Sequence, residues 1–279
     1  ARTTFCSETR PPPFPYYDCS QAHLALAFGF RPILLGLQVE HNNIMTSCLR
    51  SSLIVLFSLV SLAAAPLFAA SCPQPPDLAP RATDWQGWGN GLENRRHESA
   101  GISSTDLASL ELTWAFGFPG TGSVVGNPVI QGTLLLIGVD TGTVYALDAD
   151  TGCEYWTVKA GNGVRTAPAL GLIGDQWRVF FGDRGARVYS VDALSGQALW
   201  TTKVDDHAAA ILTGSPQFLH LDNVASPDRL LVPVSSSEEG IAAVPTYVCC
   251  TFRGSLVSLD ATTGDVLWQS HTIASPPVA

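Results

Sequence analysis

One eleven-residue pattern occurs three times in this chain without gaps. It reads Ala146-Leu147-Asp148-Ala149-Asp150-Thr151-Gly152-Cys153-Glu154-Tyr155-Trp156, then Ser190-Val191-Asp192-Ala193-Leu194-Ser195-Gly196-Gln197-Ala198-Leu199-Trp200, then Ser258-Leu259-Asp260-Ala261-Thr262-Thr263-Gly264-Asp265-Val266-Leu267-Trp268. Each copy has a small residue, Asp two later, Thr or Ser followed by Gly, and Trp four after the Gly. Trp156 and Trp200 are 44 residues apart, and Trp200 and Trp268 are 68 apart. The first spacing is that of a four-stranded propeller blade, and the second reads as a blade carrying an insertion.

The repeat is physically legible. Val144, Ala146 and Asp148 alternate with Tyr145 and Leu147, as the two faces of a strand require. Asp-x-x-Thr/Ser-Gly is a tight hairpin: the Asp and hydroxyl side chains bond turn backbone, and Gly adopts positive φ without a Cβ clash. A Trp that recurs once per unit is expected to bury its ring against the neighbouring unit. Strands are expected upstream of each copy: around Asn127–Ile130 and Leu134–Gly138, Ala167–Leu170 and Trp177–Gly182, and Pro216–Leu219 and Leu230–Val234. Leu110–Phe118 reads as the outer strand of a further blade. The fold class is therefore all-β, a β-propeller of about three blades plus one strand. Known rings use about four to eight blades, so the expectation is the N-terminal portion of a longer, eight-bladed ring.

Composition narrows the function. Lys and Arg number 15 against 24 Asp and Glu, a net charge of −9, with no basic cluster. That argues against a nucleic-acid partner. The single Met, Met45, is followed by Arg50 and an apolar run over 53–70, which reads as an export signal spanning 45–71. Residues 1–44 read as an unstructured upstream extension, and 72–279 as the partial propeller. Export implies a periplasmic or secreted protein, or a lipoprotein acylated at Cys72. In an oxidising compartment disulfides persist. Cys153 has no nearby partner in the sequence and reads as a lone thiol.

The repeat resembles the tryptophan-docking motif of pyrroloquinoline quinone (PQQ) dehydrogenases. Two stretches sharpen the likeness to the polyvinyl-alcohol dehydrogenases of that family. One is Trp85-Gln86-Gly87-Trp88-Gly89-Asn90-Gly91 with the following Leu92–Arg96, continued by Trp114–Gly120. The other joins Val204–His207, Ser236–Glu239 and Tyr247-Val248-Cys249-Cys250-Thr251-Phe252-Arg253-Gly254-Ser255. Related repeats also occur in non-catalytic propellers such as outer-membrane assembly lipoproteins.

Adjacent cysteines can join only as an eight-membered ring, or else stand side by side as two thiols. The resemblance implies the ring, with Cys249 and Cys250 stacked on PQQ. It also implies cationic partners for the PQQ carboxylates, for which Arg253 and Arg165 are the candidates, with His207 in the pocket. Glu238 or Glu239 would be an oxygen ligand for Ca²⁺. The implied reaction is oxidation of a secondary alcohol or alcohol polymer, with electrons leaving to a separate cytochrome c or other acceptor. The family's catalytic base, an Asp, has no assignable position here. A non-catalytic scaffold binding protein partners, and an inactive truncated relic, are the competing expectations.

Overall fold

The structure is a computed structural model that describes residues 70–97, 101–222 and 226–276. The expected extension over 1–44, and the expected export signal up to residue 69, lie outside the described residues.

Three antiparallel sheets follow one another, each with its strands in chain order. The first blade is β1 (Val129–Gln131), β2 (Leu134–Gly138), β3 (Thr143–Asp148) and β4 (Glu154–Lys159). The second is β5 (Ala169–Ile173), β6 (Gln176–Gly182), β7 (Arg187–Asp192) and β8 (Ala198–Lys203). A two-residue strand, β9 (Ala210–Ile211), pairs with the end of β11. The third blade is β10 (Gln217–Leu219), β11 (Arg229–Ser236), β12 (Ser255–Asp260) and β13 (Val266–His271), with a short helix α1 (Glu238–Ile241) inserted between β11 and β12. The strands expected upstream of the three motifs are all present, within three residues at their ends.

Alternation along β6 places it between two cores. Phe181 and Val179 pack with Leu134, Leu136 and Val144 of the first blade. Phe180 packs with Leu230, Val232 and Val257 of the third. Successive side chains of a strand point to opposite faces, so one run of residues glues three sheets face to face. Inner strands β5 and β10 lie close together. A Cβ on Gly171 would sit 2.6 Å from the Phe218 ring.

The repeat motif makes the same contact at every blade boundary. In each turn the Asp caps the hairpin: Asp148 Oδ1 accepts from the Thr151 backbone N–H at 2.7 Å, Asp192 Oδ1 from Ser195 at 2.9 Å, and Asp260 Oδ1 from Thr262 at 2.7 Å. The turn glycines 152, 196 and 264 have φ of 74°, 70° and 81°. Each strand then shifts register just before its Trp pairs. The indole of Trp156 donates across the boundary to the Ala193 carbonyl at 3.0 Å, and that of Trp200 to the Ala261 carbonyl at 3.2 Å. The rings lie on the next turn's glycine. A Cβ on Gly196 would fall 2.8 Å from Trp156, and one on Gly264 2.7 Å from Trp200. Glycine is required there twice over, by its φ and by the ring above it.

Leu110–Phe118 corrects the sequence expectation. It is not a strand: among the described residues no ladder of backbone hydrogen bonds joins it to a neighbouring strand. Its Trp114 nevertheless docks as the others do, donating to the Ala149 carbonyl at 3.1 Å and covering Gly152. Phe116 and Phe118 pack on Tyr145. Trp268, at the far side of the third blade, is 37% exposed.

The segment before the first blade straps its outer edge, and here two further expectations fail. Cys153 is not a lone thiol. It is bonded to Cys72, 81 residues away. Cys72 reaches it because residues 70–72 run parallel to the start of β4, with Cys72 N–H donating to Glu154 O at 2.9 Å and Glu154 N–H to Ala70 O at 3.0 Å. The sulfur that a lipid anchor on Cys72 would need is therefore in a disulfide. Arg81 Nη1 donates to both carboxylate oxygens of Asp150, at 2.9 and 3.0 Å.

Replacing Trp156 by Ala should lower the unfolding free energy by roughly 3–5 kcal/mol, as expected for a buried aromatic, read as a shifted midpoint in urea. Opening a loop of this length by Cys153→Ser should cost roughly 4 kcal/mol, with reduced wild-type protein melting like the variant.

Candidate functional site

The antiparallel strands give the blades two chemically different ends. The motif turns, between β3 and β4, β7 and β8, and β12 and β13, occupy one end and are committed to docking. The other end carries the β2–β3, β6–β7 and β11–β12 connections, and the third of these is the long insertion 237–254. Arg165, His207, Glu238, Cys249, Cys250 and Arg253 all belong to this second end.

Glu238 organises the insertion. It is 3% exposed. Its Oε1 accepts from the Tyr247 hydroxyl at 2.6 Å, the Thr251 N–H at 2.6 Å and the Thr251 hydroxyl at 3.1 Å. Its Oε2 accepts from the Phe252 N–H at 3.0 Å. Charge-assisted bonds of this kind favour the ionised form. The Thr251 backbone N–H, followed by the Tyr247 hydroxyl, pulls the Glu238 carboxyl down to about 2. The same bond raises the Tyr247 phenol, which would have to ionise beside a carboxylate.

His207 extends the clamp to the connection before β9. Its Nδ1 accepts from the Ala209 N–H at 3.1 Å, so Nε2 carries the hydrogen and donates to Thr251 Oγ at 2.8 Å. The ring packs edge-on against Phe252 with centroids 5.4 Å apart. Between Tyr247 and Thr251, both held by Glu238, Cys249 and Cys250 are joined to each other in a disulfide, and the peptide bond between them is cis. Both cysteines are exposed. Three residues on, Arg253 is half-buried and donates from Nη2 to the carbonyls of Ile273 and Ala274 at 2.9 and 2.7 Å. Its Nε is buried with no partner among the described residues.

The structure thus gathers His207, Glu238, the cysteine pair and Arg253 around one loop. Arg165 stands apart, exposed on the connection into β5, with no side-chain hydrogen bond or ion pair among the described residues. Glu238 and Glu239 do not fit the calcium site expected of them. Ca²⁺ takes six to eight oxygens. Glu238 already accepts four hydrogen bonds, Glu239 is exposed, and no group of three or more His, Cys, Asp or Glu side chains is placed to hold a metal among the described residues. Sequence reasoning missed Tyr247 and Thr251 as Glu238's partners. The only signal for them was their position flanking the cysteine pair.

Because Glu238 titrates below its ordinary 4.5, its bonds hold the loop above that pH and are lost as the pH falls toward about 2. Protection of the Thr251 and Phe252 amides, taken relative to their intrinsic exchange rates at each pH, should fall across this window. Glu238→Gln should show the lowered protection at all pH values.

Comparison with known proteins bears on this arrangement. The family described as outer membrane protein assembly factor BamB, PQQ_2, matches residues 83–279. A polyvinylalcohol dehydrogenase of Sphingopyxis sp. (strain 113P3) is 36% identical over 225 residues, covering 78% of this chain and 33% of that protein. One from Pseudomonas sp. is 36% identical over 204 residues, covering 69% and 30%. The chain spans about a third of the length of these relatives. Among solved structures, the quinohemoprotein alcohol dehydrogenase of Comamonas testosteroni superposes with a TM-score of 0.56 at 20% identity, covering 70% of this chain and 28% of that one. A europium-containing methanol dehydrogenase gives 0.54 at 22% identity, covering 70% and 33%. The superpositions identify the three docked sheets as β-propeller blades. Matched over residues 83–279, the chain belongs to the PQQ_2 family, and its relatives include polyvinylalcohol dehydrogenases and quinohemoprotein alcohol dehydrogenases.

Proposed function

We propose that this chain supplies blades and part of the active site of an exported, PQQ-dependent dehydrogenase that oxidises secondary alcohols of the polyvinyl-alcohol type. The observation that carries the reading is the bonded Cys249–Cys250 pair, presented outward on a loop that Glu238 and His207 hold at both flanks. A scaffold that only docks protein has no evident need of such a pair, and both polyvinylalcohol dehydrogenases named above are enzymes.

The residues present fit a flat, anionic quinone in two respects. The exposed disulfide offers a small planar face, and Arg253 offers a cation whose buried Nε lacks an acceptor. When bound, PQQ supplies an electrophilic carbonyl carbon able to accept hydride from an alcohol carbon. The protein's contribution at this loop is orientation. Arg253, fixed by the carbonyls of Ile273 and Ala274, would hold the carboxylate or quinone oxygens with its remaining donors. His207 has both ring nitrogens engaged, so it positions Thr251 and is not the proton acceptor. Arg165 is a second cation at the same end of the blades. Electrons would pass to a separate cytochrome c or comparable acceptor.

The family description, which names an assembly factor, favours a second reading as a non-catalytic propeller binding protein partners. One experiment separates them. Purified protein is incubated with PQQ, with and without Ca²⁺, and dye reduction is followed with a secondary alcohol. The dehydrogenase reading expects PQQ-dependent turnover, lowered about tenfold or more in Cys249→Ser/Cys250→Ser. Absence of both turnover and PQQ binding in the wild type leaves the scaffold.

A further inference from the structure

A cleft of about 500 Å³ lies between the segment Trp88–Asn94 and the connection from β9 to β10. None of its lining residues is charged, although the chain carries 39 charged side chains. The Trp88 indole forms one wall and is 49% exposed, with the Arg96 guanidinium 6.0 Å from its ring centroid. Leu92 continues the apolar wall. The side formed by the β9–β10 connection is polar and neutral: Thr213, Ser215 and Gln217.

The hydrogen bonds on that side leave a specific remainder. Ser215 Oγ accepts from the Ala167 N–H at 2.9 Å, which leaves its own O–H free to donate. Gln217 donates Nε2 to the Pro216 carbonyl at 3.0 Å, which leaves Oε1 free to accept. A cleft lined by both a free donor and a free acceptor matches a hydroxyl, which gives and takes one bond at once. Carboxylates and phosphates cannot donate, and ammonium groups cannot accept. An indole in one cleft with such groups suits a ligand that carries both a carbon backbone and hydroxyls. The cleft also adjoins the site. Thr213 Oγ bonds Ser235 Oγ at 3.0 Å, and Ser235 lies three residues before Glu238.

We propose that this cleft is a binding track for a neutral polyhydroxylated chain, holding its carbon backbone on Trp88 and Leu92 and its hydroxyls on Ser215 and Gln217. The choice of polymer rests on the dehydrogenase reading, but binding needs no cofactor and is measured without one. Vinyl-alcohol oligomers are titrated calorimetrically into the full chain, with 2-propanol and polyacrylate as controls. Saturable binding of the oligomer, absence of binding by both controls, and a loss of about tenfold in affinity in Trp88→Ala and in Ser215→Ala/Gln217→Leu support the track. Near-ultraviolet circular dichroism identifies any variant that has lost its fold, and Trp88→Phe then serves in place of Trp88→Ala, with a smaller loss expected. Equal affinity in folded variants, or equal binding of polyacrylate, overturns the track. So does absence of oligomer binding in the wild type, even if PQQ-dependent oxidation persists and the dehydrogenase reading stands. Oligomer binding without any PQQ-dependent oxidation keeps the track and removes the reading.

Discussion

The arrangement depends on an indole that reaches across a gap between sheets to a main-chain carbonyl and settles on a glycine. Trp114, Trp156 and Trp200 each do this, at 3.0 to 3.2 Å. The contact combines a large buried ring with a satisfied N–H, so it gives both cohesion and orientation. It works only if the receiving turn has no Cβ at the glycine, and only if an Asp fixes that turn's backbone. Three residue types, Asp, Gly and Trp, therefore act as one device divided between two blades.

Keeping the docking at one end of the sheets leaves the other end free to vary. The β6–β7 turn there is short. It is closed by buried Asp183, which accepts from Gly185 and Arg187 N–H and from the Tyr189 hydroxyl. The β11–β12 connection departs from this by its long insertion, and a single carboxylate, Glu238, replaces the missing ladder as its organiser. An ionised side chain that accepts four hydrogen bonds can hold a loop that buries little of its own apolar surface, as the exposed Ile241, Val244 and Val248 indicate.

What was legible in the sequence was what is encoded locally. Strand alternation, the turn Asp and Gly, and the Trp offset all lie within eleven residues, so the blades and their boundaries could be read directly. The Cys72–Cys153 bond could not, because it follows from residues 70–72 lying along β4, a pairing across 81 residues with no periodic signal. Leu110–Phe118 reads in the sequence as the outer strand of a further blade, and that it is unpaired was not legible, since pairing is a property of neighbours. Glu238 illustrates the same limit at the candidate site. Its residue type suggests a cation ligand, yet its role is set by Tyr247, Thr251 and Phe252, which only the fold brings to it.

The acceptor of each docking bond is a peptide oxygen, and every residue has one. A blade can therefore drift in almost all of its sequence and still be received by its neighbour, provided the turn keeps its shape. The boundary behaves like a standard coupling, indifferent to what it joins. Such a coupling lets duplicated blades diverge independently, one lengthening a connection into a chemical loop while its siblings keep short turns, with no need for compensating change across the interface.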